Sequence, residues 1–218
     1  MTGHRPLRAD RRRSYTPAMS DLPVALPSEL ERALVRALDR AGKLVAALDA
    51  LGPIADRDVL VIDASGGPII DGLVAAGARL TSLPAGTPLQ LDVPDASADV
   101  VIGLWSAFHG VDRADVAEVD RVLRPGGRQL VVHDYGRDDV SRLRGERPEY
   151  GAWSQRTGPF LTGGFKVRVV HCFWEFESME ATINFLTSAF GEVGKTVAAT
   201  LKRPRLSWNV AVYHRSRP

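Results

Sequence analysis

Little in this chain suits an oxidising compartment or a lipid environment. One of its 218 residues is cysteine, Cys172, so no internal disulfide can form and a reducing cytoplasm is the expected location. No apolar run approaches the roughly 20 residues of a membrane helix, and the amino terminus lacks the apolar segment of a secretory signal. These absences predict a soluble protein with no membrane partner. Several chemistries are missing as well. No G-x-S-x-G elbow occurs, which disfavours a nucleophilic hydrolase, and no glycine turn ends in the Lys-Ser/Thr of a phosphate-binding loop. The ribose-reading acid of a dinucleotide oxidoreductase is also absent. His171 and Cys172 are adjacent in a β-rich run, where neighbours face opposite sides and do not readily share an ion, so no metal site is expected.

Charge of one sign is scarce in the body of the chain. The formal net charge is +2, yet residues 1 to 13 hold five Arg and one Asp, so the remainder is slightly acidic. Residues 1–27 also lack apolar periodicity and read as a disordered basic arm. That arm is either a solvated tail or a binder of anionic surfaces, and an acidic body argues against a large nucleic-acid face. No internal repeat interrupts residues 28–218. A hydrophobic share of 44% over this length suits one domain with a substantial core.

What is present alternates strand and helix. Ser28-Glu29-Leu30-Glu31 has the form of a capping box, and Leu30, Leu34, Leu38, Ala41, Val45 and Leu48 follow at helical spacing until Gly52-Pro53. Asp58 to Asp63 reads as a buried strand, Pro68 to Ala76 as a helix and Ala78 to Leu83 as a second strand. Between the first strand and its helix, Ser65-Gly66-Gly67 forms a turn of the kind that lets a ligand approach a helix amino terminus, though any tight turn favours glycine. Residues 94–134 then give an apolar run (Val100 to Leu104), a helical pattern (Asp112 to Leu123), the turn Arg124-Pro125-Gly126-Gly127 and a second apolar run (Leu130 to Val132). Nearly unbroken apolar strands of this kind are covered on both faces, as in a parallel sheet. Residues 138–164 read as a short helix and a long loop. Phe165 to Phe176 is β-rich, Ser178 caps a helix through Met179, Ile183, Leu186 and Phe190 that ends at Gly191, and Leu206 to His214 is the last strand.

The runs Asp95-Ala96-Ser97-Ala98-Asp99-Val100-Val101 and Arg121-Val122-Leu123-Arg124-Pro125-Gly126-Gly127 resemble strands four and five of class I S-adenosylmethionine-dependent methyltransferases, of the type 11-like kind. The resemblance is strong over residues 94–134 and weak over the rest of 28–215. It implies a Rossmann-like α/β fold, mostly parallel with a carboxyl-terminal antiparallel hairpin, and shortened between strands two and four. The shortening shows at Pro84 to Gln90, where the family inserts a helix and an edge strand. The family's cofactor loop is depleted here. Either Asp63 takes its acidic place, with Ser65 and Gly67 in glycine places and Ile69 in the third, or Gly67 is the last glycine and Asp63 and Ser65 replace the others. Strand two ends in Leu83-Pro84, where the family places an acid on the ribose.

The resemblance assigns S-adenosylmethionine as cofactor, with Asp63, Ala64, Ser65, Gly66 and Gly67 around its methionine end. Leu83, Asp92 and Val93 fall toward the nucleoside, and Trp105 and Ser106 beside them. A small-molecule acceptor would meet His109, His133 or Tyr135. Either histidine suits a general base where the acceptor loses a proton, and both equally suit structural bonds to loop backbone. Trp105, Phe108, Trp153 and Trp174 form either an aromatic pocket or core, with Trp174 placed in the core by its alternating strand. The alternative to an enzyme is a methyltransferase-fold interaction or regulatory module that no longer binds cofactor.

Overall fold

The protein is described by a computed structural model covering residues 23–64, 66–105, 107–145 and 148–218. Residues 1–22 of the arm expected over 1–27, together with Ser65 and Ser106, lie outside the described residues. Pro23 is buried and Val24 and Leu26 pack against the core, so the folded body extends several residues before Ser28.

Among the described residues six strands form one sheet. They are β1 (Asp58–Ile62), β2 (Arg79–Leu83), β3 (Ala98–Gly103), β4 (Leu123–Asp134), β5 (Lys166–Glu175) and β6 (Arg205–Ser216), in the spatial order β2-β1-β3-β4-β6-β5. The first four are parallel, and β6 runs antiparallel to both β4 and β5. This is the doubly wound sheet with a closing hairpin that the sequence predicts. Strand β2 is one edge, so the shortened segment removes the strand that would lie outside it. One face is covered by α1 (Ser28–Ala37), α2 (Lys43–Leu51), α3 (Pro68–Ala75), α5 (Asp139–Arg144) and α8 (Met179–Ala198). The other face carries α4 (Arg113–Val122), α6 (Pro148–Trp153) and α7 (Pro159–Thr162).

Several elements differ from the sequence reading, each for a visible reason. The first helix is broken. Leu38 bridges Trp174 and the Asp39 amide donates to the Phe173 carbonyl at 3.0 Å, so the chain leaves the helix to cover the edge of β5. The Asp39 carboxylate then accepts the Leu44 amide at 2.6 Å and starts α2. Ser28 is the first helical residue rather than the cap, which is Pro27 and makes no side-chain bond. The segment 124–127 is a bulge inside β4, because Ala98 pairs Leu123 while Val100 pairs Arg128. Residues 138–164 hold three short helices. Gly191, at φ 58°, kinks α8 without ending it, and Ile183 is exposed. Ser178 does cap α8, accepting the Ala181 amide at 3.0 Å.

The loop from Pro84 to Ser97 replaces a helix and a strand with side-chain bonds to α4. Asp115 accepts the Leu89 amide and Glu118 the Leu91 amide, at 3.2 and 2.8 Å. Arg121 donates to the carbonyls of Val93 and Leu91 and pairs with both Asp95 and Glu118. Its guanidinium holds the Glu118 carboxyl down to about 2 from an ordinary 4.5. A depressed carboxyl pKa stabilises the fold above pH 4.5 and ceases to do so as pH falls through 2. We therefore expect Arg121→Ala to cost about 1 to 3 kcal/mol and to speed amide exchange at Leu89, Leu91 and Val93 ahead of the sheet. Wild-type protein should show the same local loosening on acidification from pH 4.5 to 2. Uniform exchange across loop and sheet in both experiments would mean that the loop holds itself.

Candidate functional site

The carboxyl ends of β1 to β4 gather most of the predicted site, as expected for ligands of open α/β sheets. At the tip of β1, Asp63 sits at φ 57° and its amide donates to the Leu83 carbonyl at 2.6 Å, tying β1 to the end of β2. Ala64 is buried. Gly67 precedes α3 at φ 124°, ψ 179°, a region essentially closed to any residue with a Cβ. A Cβ on Gly66 would meet nothing within 4 Å, so that side of the turn is open. The first amides of α3 have no acceptor within the helix and are oriented for a negative or polar group. At the tip of β2, Leu83 is half-buried against an apolar cluster and Pro84 is exposed. Asp92 is exposed and Val93 half-buried beside α4. Among the described residues no hydrogen bond or ion pair links either to the Asp63–Gly67 turn.

At the tips of β3 and β4 the centre is Asp134. Its Oδ1 accepts the indole N–H of Trp105 at 3.0 Å and that of Trp208 at 3.1 Å, and its Oδ2 pairs with Arg144. Trp105 stacks on Trp208 with ring centroids 5.7 Å apart. Trp105 is 6% exposed, so its ring forms the floor of the strand tips rather than an open aromatic wall. Trp174 is wholly buried, as its strand pattern predicts.

His133 and His109 occupy contrasting positions. The ring of His133 is 0% exposed, with Nε2 3.0 Å from the Phe108 carbonyl. A carbonyl only accepts, so Nε2 carries the proton and Nδ1 is left bare and buried. Burial pushes its pKa down to about 3, aided by the neighbouring His109, and the ring is neutral at physiological pH. Trp153, Phe160 and Tyr150 enclose it at centroid distances of 4.7, 6.1 and 6.2 Å. The bond from His133 fixes Phe108, itself at φ 59°, and the Phe108 ring lies 2.4 Å from where a Cβ on Gly103 would stand. Only glycine at the end of β3 admits that ring. His109, next in the chain, is exposed, 5.4 Å from His133 and 6.0 Å from Trp153.

Two hollows flank these tips. A cavity of about 840 Å³ beyond β4 is lined by Asp134, Tyr135, Arg137, Asp138, Arg142 and Arg144 among others. A smaller one, about 420 Å³, has Ile62 and Leu89 in its wall and is bounded by Thr87, Phe108 and His109. Tyr135 thus faces the larger hollow and His109 the smaller. Sequence reasoning missed Trp208, Arg144, Arg137 and Arg142. Residues 138–164 read as a short helix and a long loop, and nothing in their spacing says that the helix, α5, folds back on the tip of β4. Among the described residues no cluster of His, Cys, Asp or Glu could hold a metal ion. His171 is exposed and Cys172 buried, on opposite faces of β5.

No protein-family model matches the chain and no curated protein matches it. Solved structures do. A protein from Anaeromyxobacter dehalogenans, assigned provisionally as a type II methyltransferase, superposes with a TM-score of 0.53 at 20% identity, covering 80% of this chain and 95% of that one. An S-adenosylmethionine-dependent methyltransferase from Aquifex aeolicus gives 0.47 at 15% identity, covering 86% and 98%. The chain has the Rossmann-like fold of class I methyltransferases, with its sheet one strand short at the β2 edge.

Two outcomes follow from the buried groups. The unfolded His133 binds a proton below about pH 6.5 and the folded one does not until about 3, so this residue lowers stability as pH falls through that window. Nitrogen-15 spectra should show His133 as the neutral Nε2–H tautomer from pH 8 to 5; a midpoint above 5 would mean a hydrated ring. Asp134→Ala removes the one buried carboxylate shared by the Trp105 and Trp208 indoles and Arg144 and should cost about 3 to 5 kcal/mol in urea unfolding. A cost below about 1 kcal/mol would mean that this carboxylate does not hold the strand tips together.

Proposed function

We propose that this protein is an S-adenosylmethionine-dependent methyltransferase acting on a small-molecule acceptor. The observation that carries the reading is the juxtaposition of a glycine-gated helix amino terminus, at Gly67 and α3, with an acceptor-sized cavity two strands away beyond β4. The residues present suit the methionine end of the cofactor, since the Gly67 backbone is one that side chains would close and the open face of Gly66 allows close approach. On this reading Asp63, Ala64, Ser65, Gly66 and Gly67 hold that end. Leu83, Asp92 and Val93 are assigned to the nucleoside side, and Trp105 and Ser106 to the same end of the cofactor. Bound there, S-adenosylmethionine supplies an electrophilic methyl group. The chain's own task is to align the acceptor and exclude water. Tyr135 orients the acceptor, and His109 takes a proton where the acceptor must lose one. His133 positions the loop carrying His109 through its bond to Phe108.

One observation favours a second reading, a module of this fold without catalysis. The end of β2 offers Leu83 and Pro84 and no carboxylate, and β2 is the sheet edge. Losing such charge-assisted ribose bonds costs about 1.5 to 3 kcal/mol each, roughly ten- to a hundredfold in affinity. Calorimetry with S-adenosylmethionine and S-adenosylhomocysteine separates the two. Saturable binding at millimolar or lower concentration, abolished by Gly67→Val in protein that still folds, is the expected result. Heats indistinguishable from dilution with folded wild-type protein would leave the module.

A further inference from the structure

The cavity beyond β4 holds more charge than the reaction class requires, and its hydrogen-bonding capacity is one-sided. Among the described residues two carboxylates line it, and both are committed to the protein. Asp134 accepts two indole N–H groups and pairs with Arg144. Asp138 accepts the Ser141 amide on one oxygen and the Asn209 amide on the other, each at 2.7 Å. The Ser141 hydroxyl donates to the Asp138 carbonyl at 2.8 Å. The carbonyls of Gly136 and Arg137 are taken up by Asn209 Nδ2, at 3.3 and 3.4 Å.

The donors are less committed. The Arg137 guanidinium lies 5.9 Å over the Tyr135 ring, and among the described residues it makes no ion pair. Arg142 pairs with Asp139 through Nη1 at 3.3 Å with its side chain 63% exposed, and Asp139 already accepts the amide and hydroxyl of Ser207 on its other oxygen. The amides of Gly136 and Arg137, both at positive φ, bond no acceptor among the described residues. Among the described residues the carboxylates of this hollow are therefore used while donors remain, and guanidinium groups outnumber carboxylates. A neutral or cationic ligand would leave those donors dry and unpaired, whereas an anion with several oxygens answers them.

We propose that the cavity beyond β4 is a binding site for an anionic small molecule, a carboxylate or phosphate ester, held by Arg137 and Arg142 and the backbone of Gly136–Arg137. As the class of methyl acceptor this rests on the transferase reading; as an anion site it stands without it. Arginine forks bind both oxyanions in a two-point manner, so the chemistry is shared and the source is left to the experiment.

The test uses the full chain at fixed ionic strength, titrated calorimetrically with inorganic pyrophosphate and separately with citrate. At least one probe should bind saturably, and the tighter of the two assigns the phosphate or carboxylate class. The double variant Arg137→Gln/Arg142→Gln alters exposed side chains and should keep its melting temperature while weakening that probe at least about tenfold. A control, Lys166→Gln/Arg168→Gln on exposed positions of β5, should bind as wild type. No binding of either probe, affinity untouched by the first pair, or affinity lost in the control pair would each overturn the proposal. Should the double variant unfold, Arg142→Lys, which keeps charge but not the fork, must still weaken binding. Failure of S-adenosylmethionine to bind while pyrophosphate or citrate does would remove the transferase and leave the anion site; the reverse pattern would remove the anion site alone.

Discussion

A carboxylate almost wholly taken out of solvent organises the working end of this molecule. Asp134 ends β4, and its two oxygens are held by Trp105 from beyond β3, Trp208 from β6 and Arg144 from α5. The segment after β3, strand β6 and the helix following β4 thus converge on one charge. In a dry setting such a carboxylate is tolerable only if every lone pair is answered, and its partners then have little freedom. The cluster fixes one wall of the larger hollow. It also explains why the stretch after β4 turns back as α5 instead of running out as a loop.

The two sheet edges are protected by different means. Strand β2 is five residues long and largely polar on its surface, with Arg79, Thr81 and Ser82 exposed, which suits an edge that must not recruit another strand. The missing outer unit is replaced by the Arg121 and Glu118 lacing of residues 89–95 to α4. At the opposite edge the α1–α2 break lies against β5, joined through Leu38 and Asp39. Both devices use polar groups outside the apolar core, so the sheet's hydrophobic pattern carries no trace of either.

That difference marks what was legible in the sequence. Buried parallel strands announce themselves, because Val59 to Ile62 and Val100 to Ile102 cannot be exposed on either face. The antiparallel hairpin was equally readable from the alternation in β5 and the Ser178 cap. The α1–α2 break was not, since Leu30 to Leu48 keep a helical period through a pairing that only the folded sheet supplies. Within the site, the Gly67 turn was visible because a backbone conformation demanded glycine. The Asp134 cluster was hidden, because tryptophans 105 and 208 signal burial but not the carboxylate they share. Residues 138–164 were opaque since helices of four to six residues are held by tertiary contact rather than by propensity.

The two hollows bear directly on how catalysis could proceed. His109 borders the smaller one and Tyr135 the larger, and the rings of His133, Trp153 and Tyr150 pack together beside them, with centroid distances of 4.7 and 5.2 Å. Trp153 and Tyr150 both belong to α6, a six-residue helix, whereas His133 belongs to the sheet. The enclosure of His133 thus depends on one short helix, α6, together with Phe160 of α7.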